Sequence, residues 1–229
     1  MKIEENDKLI LLTNDDGLYA GGIKTLIRIM EDFGKVVVIS ATESRSAMSQ
    51  ALTVKQPLRV KLLDEDDHKR IYACSGTPAD GIKLAVSQLL DRKPDLIVSG
   101  INHGSNASAS ILYSGTMAAA LEGCLYEITS VGFSLNSYSS SADFSGCEEY
   151  IRKICAMLLR EPLPNGICLN VNFPALPAAQ IKGMVVARQA SGNWQEEFEK
   201  RKDPAGKTYF WLTCNFVNHE PEASDTDDW

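Results

Sequence analysis

The sequence predicts an α/β protein built on a mostly parallel sheet. Short apolar, often β-branched runs alternate with stretches of helical periodicity. The loops after those runs collect Asp, Asn, Ser and Gly, and it is at the carboxyl ends of strands that open α/β sheets bind ligands. With 229 residues, 44% of them apolar, the chain can bury one large core and still carry an appendage.

Leu9-Ile10-Leu11-Leu12 is apolar throughout, as a strand covered on both faces must be. Thr13-Asn14-Asp15-Asp16-Gly17 follows directly, placing two adjacent carboxylates at that strand's carboxyl end. Adjacent carboxylates repel and resist desolvation, so a cation between them is one account of the motif. An Asx-type turn closed by a left-handed Gly17 is the other. Ile23, Leu26, Ile27, Met30 and Phe33 then recur at helical spacing, and Gly34 stands where a helix C-terminal cap would. Val36-Val37-Val38-Ile39 completes a βαβ unit. The polar loop that follows, residues 40–50 with Ser44, Arg45, Ser46 and Ser49, is expected on the same sheet edge as the Asp pair.

Residues 52–60 partly alternate, residues 64–69 form a charged tip, and Ile71-Tyr72-Ala73 lies beyond it, which predicts a hairpin. Thr77, Pro78 and Asp80 read as N-cap, N1 and N3 of a helix that carries Ile82, Ala85, Val86, Leu89 and Leu90 inward and yields at Pro94. Asp95-Leu96-Ile97-Val98-Ser99-Gly100 is a further buried strand. The loop after it, through Ser110, is dense in Gly, Asn and Ser and leaves many backbone N–H groups for an anion. Tyr113-Ser114-Gly115-Thr116 opens a helix over 117–125, where its hydroxyls and amides either cap the helix or meet a phosphate at its positive end. Residues 128–135 and 167–173 read as strands, with a helix over 147–159 between them.

Beyond Pro174 the character changes. Residues 181–188, a polar bend with Trp194, and Thr208-Tyr209-Phe210-Trp211-Leu212 read as extended arms whose aromatics are expected to pack across a dimer interface. The expected division is a core over 1–175 and an arm over 176–229.

A net charge of -7 argues against a surface that coats a nucleic-acid polymer. The charged first eight residues lack an apolar signal region and no later run is long enough to span a bilayer, so a cytoplasmic protein with no membrane partner is expected. Six cysteines without a C-x-x-C pair read as buried small hydrophobes, and three scattered histidines make no zinc motif. A metal would be held by oxygen, which favours Mg²⁺ or Mn²⁺, with Ca²⁺ behind them. Neither a Walker A motif nor G-x-G-x-x-G is present.

In order, Thr13-Asn14-Asp15-Asp16-Gly17, Ser44-Arg45-Ser46-Ala47, Ser75-Gly76-Thr77-Pro78-Ala79-Asp80, and Ser99-Gly100-Ile101-Asn102-His103-Gly104 with Ser114-Gly115-Thr116 closely resemble the SurE family of stationary-phase survival proteins. The resemblance runs from Leu9 to Asp225-Thr226-Asp227. It implies a metal-dependent phosphatase acting on 5′- and 3′-nucleotides and, in some members, polyphosphate. It also implies a Rossmann-like, three-layer fold whose β-rich C-terminal arm exchanges between the subunits of a homodimer or homotetramer. By the same resemblance, Asp15, Asp16, Ser46 and Asn102 hold one divalent ion per subunit, with Asp15, Asp16 and Asn102 at the catalytic centre. Asn14, Gly104, Asn106, Ser114, Gly115 and Thr116 would orient the phosphate. The family pattern continues past Trp229 in a short closing segment, often has Pro where Thr42 stands, and varies at His103 and Tyr113. Two alternatives stay open: covalent catalysis through Asp15 or Asp16, and a non-catalytic nucleotide-sensing module using the same loop.

Overall fold

The structure, a computed structural model, describes residues 1, 2, 4 and 7–228; Ile3, Glu5, Asn6 and Trp229, at the ends of the expected charged leader and arm, lie outside the described residues. Among the described residues a seven-stranded sheet is built from β1 (Leu9–Thr13), β2 (Lys35–Ala41), β3 (Val60–Glu65), β4 (Lys69–Cys74), β5 (Leu96–His103), β6 (Ser130–Leu135) and β7 (Leu169–Phe173). The strand order is β3-β4-β2-β1-β5-β6-β7, parallel throughout except for the antiparallel β3–β4 hairpin. After β1 the chain moves to one side of the sheet, and with β5 it returns to the other side of β1. The carboxyl ends of β1 and β5 therefore form the topological switch point, where the diverging loops leave a crevice.

Helices α1 (Gly21–Met30), α2 (Pro78–Leu84), α3 (Gly115–Leu125) and α4 (Glu148–Arg160) cover the sheet. Because β1, β2 and β5 are apolar at every position of their runs, both faces can be covered. Ile10, Leu12, Val36 and Val98 pack with Ile23 and Leu26 of α1 and Ile151 of α4, while Leu11, Val37 and Ile97 pack with Ile82 of α2 and Ala119 of α3. Each such fully buried aliphatic side chain contributes about 1.5–3 kcal/mol. The result is the three-layer architecture that the alternation predicts.

Several local expectations are corrected. The helix α1 stops at Met30, and Ile29, not Ile27, is buried on it. Gly34 is not its left-handed cap: a Cβ there would lie 2.2 Å from the Lys8 carbonyl oxygen, so glycine is required because the chain passes against the start of β1. The segment before β3, read as a strand flank, is irregular, and β3 begins only at Val60. Beyond α2 the helix widens into a single π turn, Ala85–Leu89, that leaves Val86, Leu89 and Leu90 only partly buried. The strand β5 does not end at Gly100 but runs to His103, with a register shift against β6 between Ser99 and Asn102.

The chain divides into two compact units, Met1–Asn106 with Leu112–Gly183, and Ala107–Ile111 with Met184–Trp229. The second unit is built on an antiparallel hairpin of β8 (Gly192–Lys202) and β9 (Thr208–Asn218). Trp194 sits in β8, not in a bend, and its ring meets Phe216 across the pair at 5.5 Å. Of the stretch 181–188 only Arg188 makes a bridge, to Thr226, and its guanidinium pairs with Glu220 and Asp225. Asp227 accepts from the backbone N–H of Ser108 (3.0 Å) and of Ala190 (2.8 Å), which closes this unit on itself. Cys74, Cys147 and Cys155 are buried as expected, whereas Cys214 on β9 is exposed. Among the described residues no helix is long and apolar enough to cross a membrane.

The irregular segment before β3 is held by one carboxylate. Thr77 Oγ1 accepts from the Asp80 N–H (3.2 Å) and Asp80 Oδ2 accepts from the Thr77 N–H (3.0 Å), a reciprocal capping box at the start of α2. Asp80 also accepts from Thr53, through its N–H at 3.0 Å and its hydroxyl at 2.7 Å. An Asp80→Ala variant should lose about 2–4 kcal/mol, combining a lost cap with lost charge-assisted hydrogen bonds. The urea midpoint is expected to fall with the slope unchanged; a midpoint within error of wild type would show that Asp80 does not hold the segment.

Candidate active site

The crevice begins with a tight turn after β1. Gly17 has φ +97°, and the Asn14 side-chain amide closes the turn by donating to the Gly17 carbonyl at 2.9 Å. Asn14 Oδ1 in turn accepts from the Ser40 hydroxyl at 2.5 Å, so this buried side chain is committed to the framework at both ends. The turn account of the motif thus describes its backbone, and the turn's effect is to present Asp15 and Asp16 at the switch point.

Asp15 is only 3% exposed. Its Oδ1 accepts from the Thr116 hydroxyl at 2.5 Å, and the Gly115 backbone adds a further hydrogen bond. Ser114 caps α3 by accepting from the Met117 N–H at 3.0 Å, so the carboxylate lies against the helix's first turn, where the backbone favours an anion. That approach needs glycine at 115: a Cβ there would stand 2.8 Å from Asp15 Cβ and 2.9 Å from Oδ2. Even so, the Asp15 pKa is pushed up to about 6. Burial is the largest cause, opposed by the Thr116 hydrogen bond and reinforced by the neighbouring Asp16 charge.

Asp16 is held from β5. Its Oδ2 accepts from the His103 backbone N–H at 3.0 Å and faces His103 Nδ1 at 3.1 Å. The His103 ring is fixed in turn by an edge contact with Phe144, centroids 5.2 Å apart. Next to it, Asn102 donates its side-chain N–H to the Gly104 carbonyl at 2.8 Å, leaving Oδ1 as the atom of that amide able to face a cation. The register shift in β5 sets these side chains; bulges of this kind re-aim residues at strand ends.

The remaining predicted residues divide. The loop after β2 is brought to the turn, since the Arg45 N–H donates to the Asp15 carbonyl at 2.7 Å, but the exposed Ser46 hydroxyl pairs with Ser44 at 2.8 Å rather than with either carboxylate. Gly104, with φ +106°, gives its N–H to the Leu135 carbonyl. Asn106 is buried and points into the scaffold, donating to Ser134 Oγ at 2.8 Å while its backbone N–H donates to Asn172 Oδ1 at 2.8 Å. The structure therefore joins Asp15 to Gly115 and Thr116, Asp16 to His103, and Asn102 to Gly104, and sets Asn14 and Asn106 apart as wiring. His103 is the residue that sequence reasoning missed. Its adjacency to Asn102 at a strand end was the available signal.

The donor set suits a hard cation. Among the described residues no three His, Cys, Asp or Glu side chains gather as a metal cluster, so an ion here would have two carboxylates and would complete its shell with neutral oxygens such as Asn102 Oδ1 and water. A buried carboxylate of raised pKa beside a second carboxylate is an environment short of positive charge.

Comparison with known proteins places these residues in company. Residues 10–196 match the family model described as "Survival protein SurE". A protein named 5′-nucleotidase SurE from Flavobacterium psychrophilum is 48% identical over 222 residues, covering 96% of this chain and 86% of that protein. One of the same name from Bacteroides fragilis is 46% identical over 229 residues, covering 99% and 88%. The crystal structure of a SurE protein from Aquifex aeolicus superposes with a TM-score of 0.81 at 34% identity, covering 96% of this chain and 88% of that one.

The burial of Asp15 has a measurable consequence. Above pH 6 its carboxylate is ionised in both folded and unfolded chains, and the folded state bears the full desolvation cost. As pH falls through about 6 the folded state takes up the proton first, and below the ordinary value of 3.8 both states are neutral and the cost vanishes. In protein stripped of divalent ions by a chelator, Asp15→Asn should be more stable than wild type by up to about 3 kcal/mol at pH 8, with the gap closing toward pH 4. Urea unfolding at the two pH values checks this; equal stabilities at pH 8 would remove the strained carboxylate.

Proposed function

The chain belongs to the SurE family, and on that premise we propose that it is a 5′-nucleotidase hydrolysing nucleoside monophosphates to nucleoside and phosphate with one divalent cation per subunit. The observation that carries this reading is the buried Asp15 beside Asp16 at the switch point of the sheet. 3′-Nucleotides and polyphosphate are proposed as further substrates.

Asp15, Asp16 and Asn102 would hold Mg²⁺ or Mn²⁺, with Ser46 joining them from the loop after β2. When bound, such a cation neutralises phosphate charge and acidifies a water. The chain's own contribution is preorganisation. Thr116 and Gly115 fix Asp15, and the His103 N–H and ring fix Asp16, so both carboxylates meet the cation without rearranging. The first turn of α3, from Ser114 to Thr116, and the loop at Gly104 to Asn106 would orient the phosphate, and orientation is most of what a protein adds to phosphoryl transfer. Asn14 acts behind them by holding the turn. The adjacency of the two carboxylates, and the capture of Asp15 Oδ1 by Thr116, favour a cation-holding role over a covalent one. A module that only sensed nucleotides would have no use for a carboxylate pair maintained against desolvation.

Phosphate release from a panel of nucleoside monophosphates, with and without Mg²⁺ or Mn²⁺, tests the reading. Turnover should need the cation, and Asp15→Asn should lose at least about 100-fold in kcat while keeping its fold. Nucleotide hydrolysis that persists in chelator, or in that variant, sinks it.

We further propose that the C-terminal arm packs on, and exchanges with, a second copy of the chain in a homodimer or homotetramer. Phe198, Phe210, Trp211 and Leu212 are each more than half exposed on the β8–β9 hairpin, an apolar surface that a second subunit would cover. Light scattering at micromolar concentration should give at least twice the chain mass, and a monomer mass would remove the idea.

A further inference from the structure

A cavity of about 220 Å³ opens at the carboxyl ends of β6 and β7, lined by Leu135, Ser137, Asp143, Ala175, Leu176 and Pro177. Two contact chains join it to the residues around the candidate cation site. On one, Asp16 Oδ2 faces His103 Nδ1 at 3.1 Å, the His103 ring meets Phe144 at 5.2 Å, and Phe144 directly follows Asp143. On the other, Asn102 donates to the Gly104 carbonyl at 2.8 Å, and Gly104 is covered by the Tyr138 ring, whose Cε1 lies 2.4 Å from where a Cβ on Gly104 would be. Tyr138 directly follows Ser137 of the lining. The cavity mouth and the carboxylates are thus separated by the thickness of a side chain or two.

The lining says what the cavity can take. It is apolar at Leu135, Ala175, Leu176 and Pro177, carries no cationic side chain, and has a carboxylate on its rim. Hydrogen bonds from Ser145, one of them from its backbone N–H at 2.8 Å, hold the Asp143 carboxyl below the usual range, so it is an anion at neutral pH. A second phosphate or a polyphosphate chain would be repelled there. An uncharged group with apolar faces and N–H or O–H donors would not. The volume lies below the ~300–1,000 Å³ of pockets that enclose drug-sized ligands, as suits a fragment of a substrate anchored elsewhere. A concavity at the opposite edge of β6, lined by Cys124, Ile128, Leu163 and Gly166, has about 10 Å³ and cannot compete.

We propose that this cavity is the nucleoside subsite, receiving the sugar and base of a nucleotide whose phosphate lies at the Asp pair, with Asp143 accepting from an N–H or O–H of the nucleoside. The proposal rests on the nucleotidase reading and supplies its specificity element. Selection for nucleotides over other phosphomonoesters then comes from the β6 and β7 ends of the sheet, while the β1 and β5 ends carry the chemistry.

Two cavity-filling variants test it, Ala175→Phe at an exposed position and Ser137→Phe on the strand-end loop, each checked for folding by circular dichroism. The ratio of kcat/KM for a nucleoside monophosphate to kcat/KM for glycerol 2-phosphate, which has no nucleoside, should fall at least about tenfold in both, chiefly through KM. An unchanged ratio overturns the subsite. A second arm needs no turnover: adenosine binding to wild type, followed by calorimetry, should weaken by a similar factor in both variants. No adenosine binding to wild type, or equal binding to the variants, overturns the proposal. If wild type hydrolyses no nucleotide, the nucleotidase reading falls by itself, and the adenosine arm still decides the cavity.

Discussion

The Asp15 carboxylate is held where burial works against its charge, and the arrangement of the crevice follows from that conflict. A carboxylate this deep is stabilised by few means: a hydroxyl, a helix's first turn, or a cation. Thr116 and Gly115 supply the first two, and they do not suffice to bring its pKa back to the ordinary range. The neighbouring Asp16 makes the imbalance worse, and His103 answers it with neutral hydrogen bonds from its backbone and ring. An unmet demand for positive charge is thereby built into the turn. The glycine at 115 belongs to the same arrangement, since any side chain there would push α3 away from the carboxylate it helps to hold.

The sheet makes this local conflict possible. The strands β1 and β5 are neighbours in space but far apart in sequence, so the two halves of the crevice arrive by different routes and meet only where the strand order reverses. Because β1, β2 and β5 are buried on both faces, the strand ends are fixed by packing that has nothing to do with chemistry. The Asp pair, Asn102 and His103 inherit that rigidity. The shift in register between Ser99 and Asn102 is the one irregularity in this region, and it falls where the side chains must be re-aimed.

How much of this was legible in the sequence depended on whether the determinant was local. Continuous apolar runs predicted the buried strands, because two-sided burial leaves no room for alternation. Thr77, Pro78 and Asp80 predicted their capping box for the same reason, since cap and partner lie three residues apart. Gly34 misled because its constraint is Lys8, distant in sequence and invisible to a helix-ending rule. The stretch before β3 looked like a strand, but its backbone is held by Asp80 from another element. Trp194 was read as part of a bend because charged residues surround it, although the period-2 pairing with Phe216 could be known only from the opposite strand. At the crevice, residue types announced the Asp pair, but nothing local said that Asn14 and Asn106 face inward or that the His103 ring reaches Asp16.

That last point changes how the Gly, Asn and Ser density of the crevice loops is understood. Such composition suggests many free amides and hence an anion site. In the structure much of it is internal wiring. The Asn106 N–H and Ser105 hydroxyl bond Asn172, the Asn106 side chain bonds Ser134, the Asn170 side chain bonds the Asn106 carbonyl, and the Gly104 N–H bonds Leu135. These bonds tie the loop after β5 to β6 and β7 and stiffen it against the strand ends. The guanidinium of Arg45, next to the turn, is likewise directed to the Ser75 carbonyl at 3.3 Å. A loop wired in this way offers a phosphate shape and rigidity more than charge. On the proposed reading, the countercharge for a dianion must then come chiefly from the cation that the Asp pair demands, so the site's need for a cation and the substrate's need for positive charge are met together.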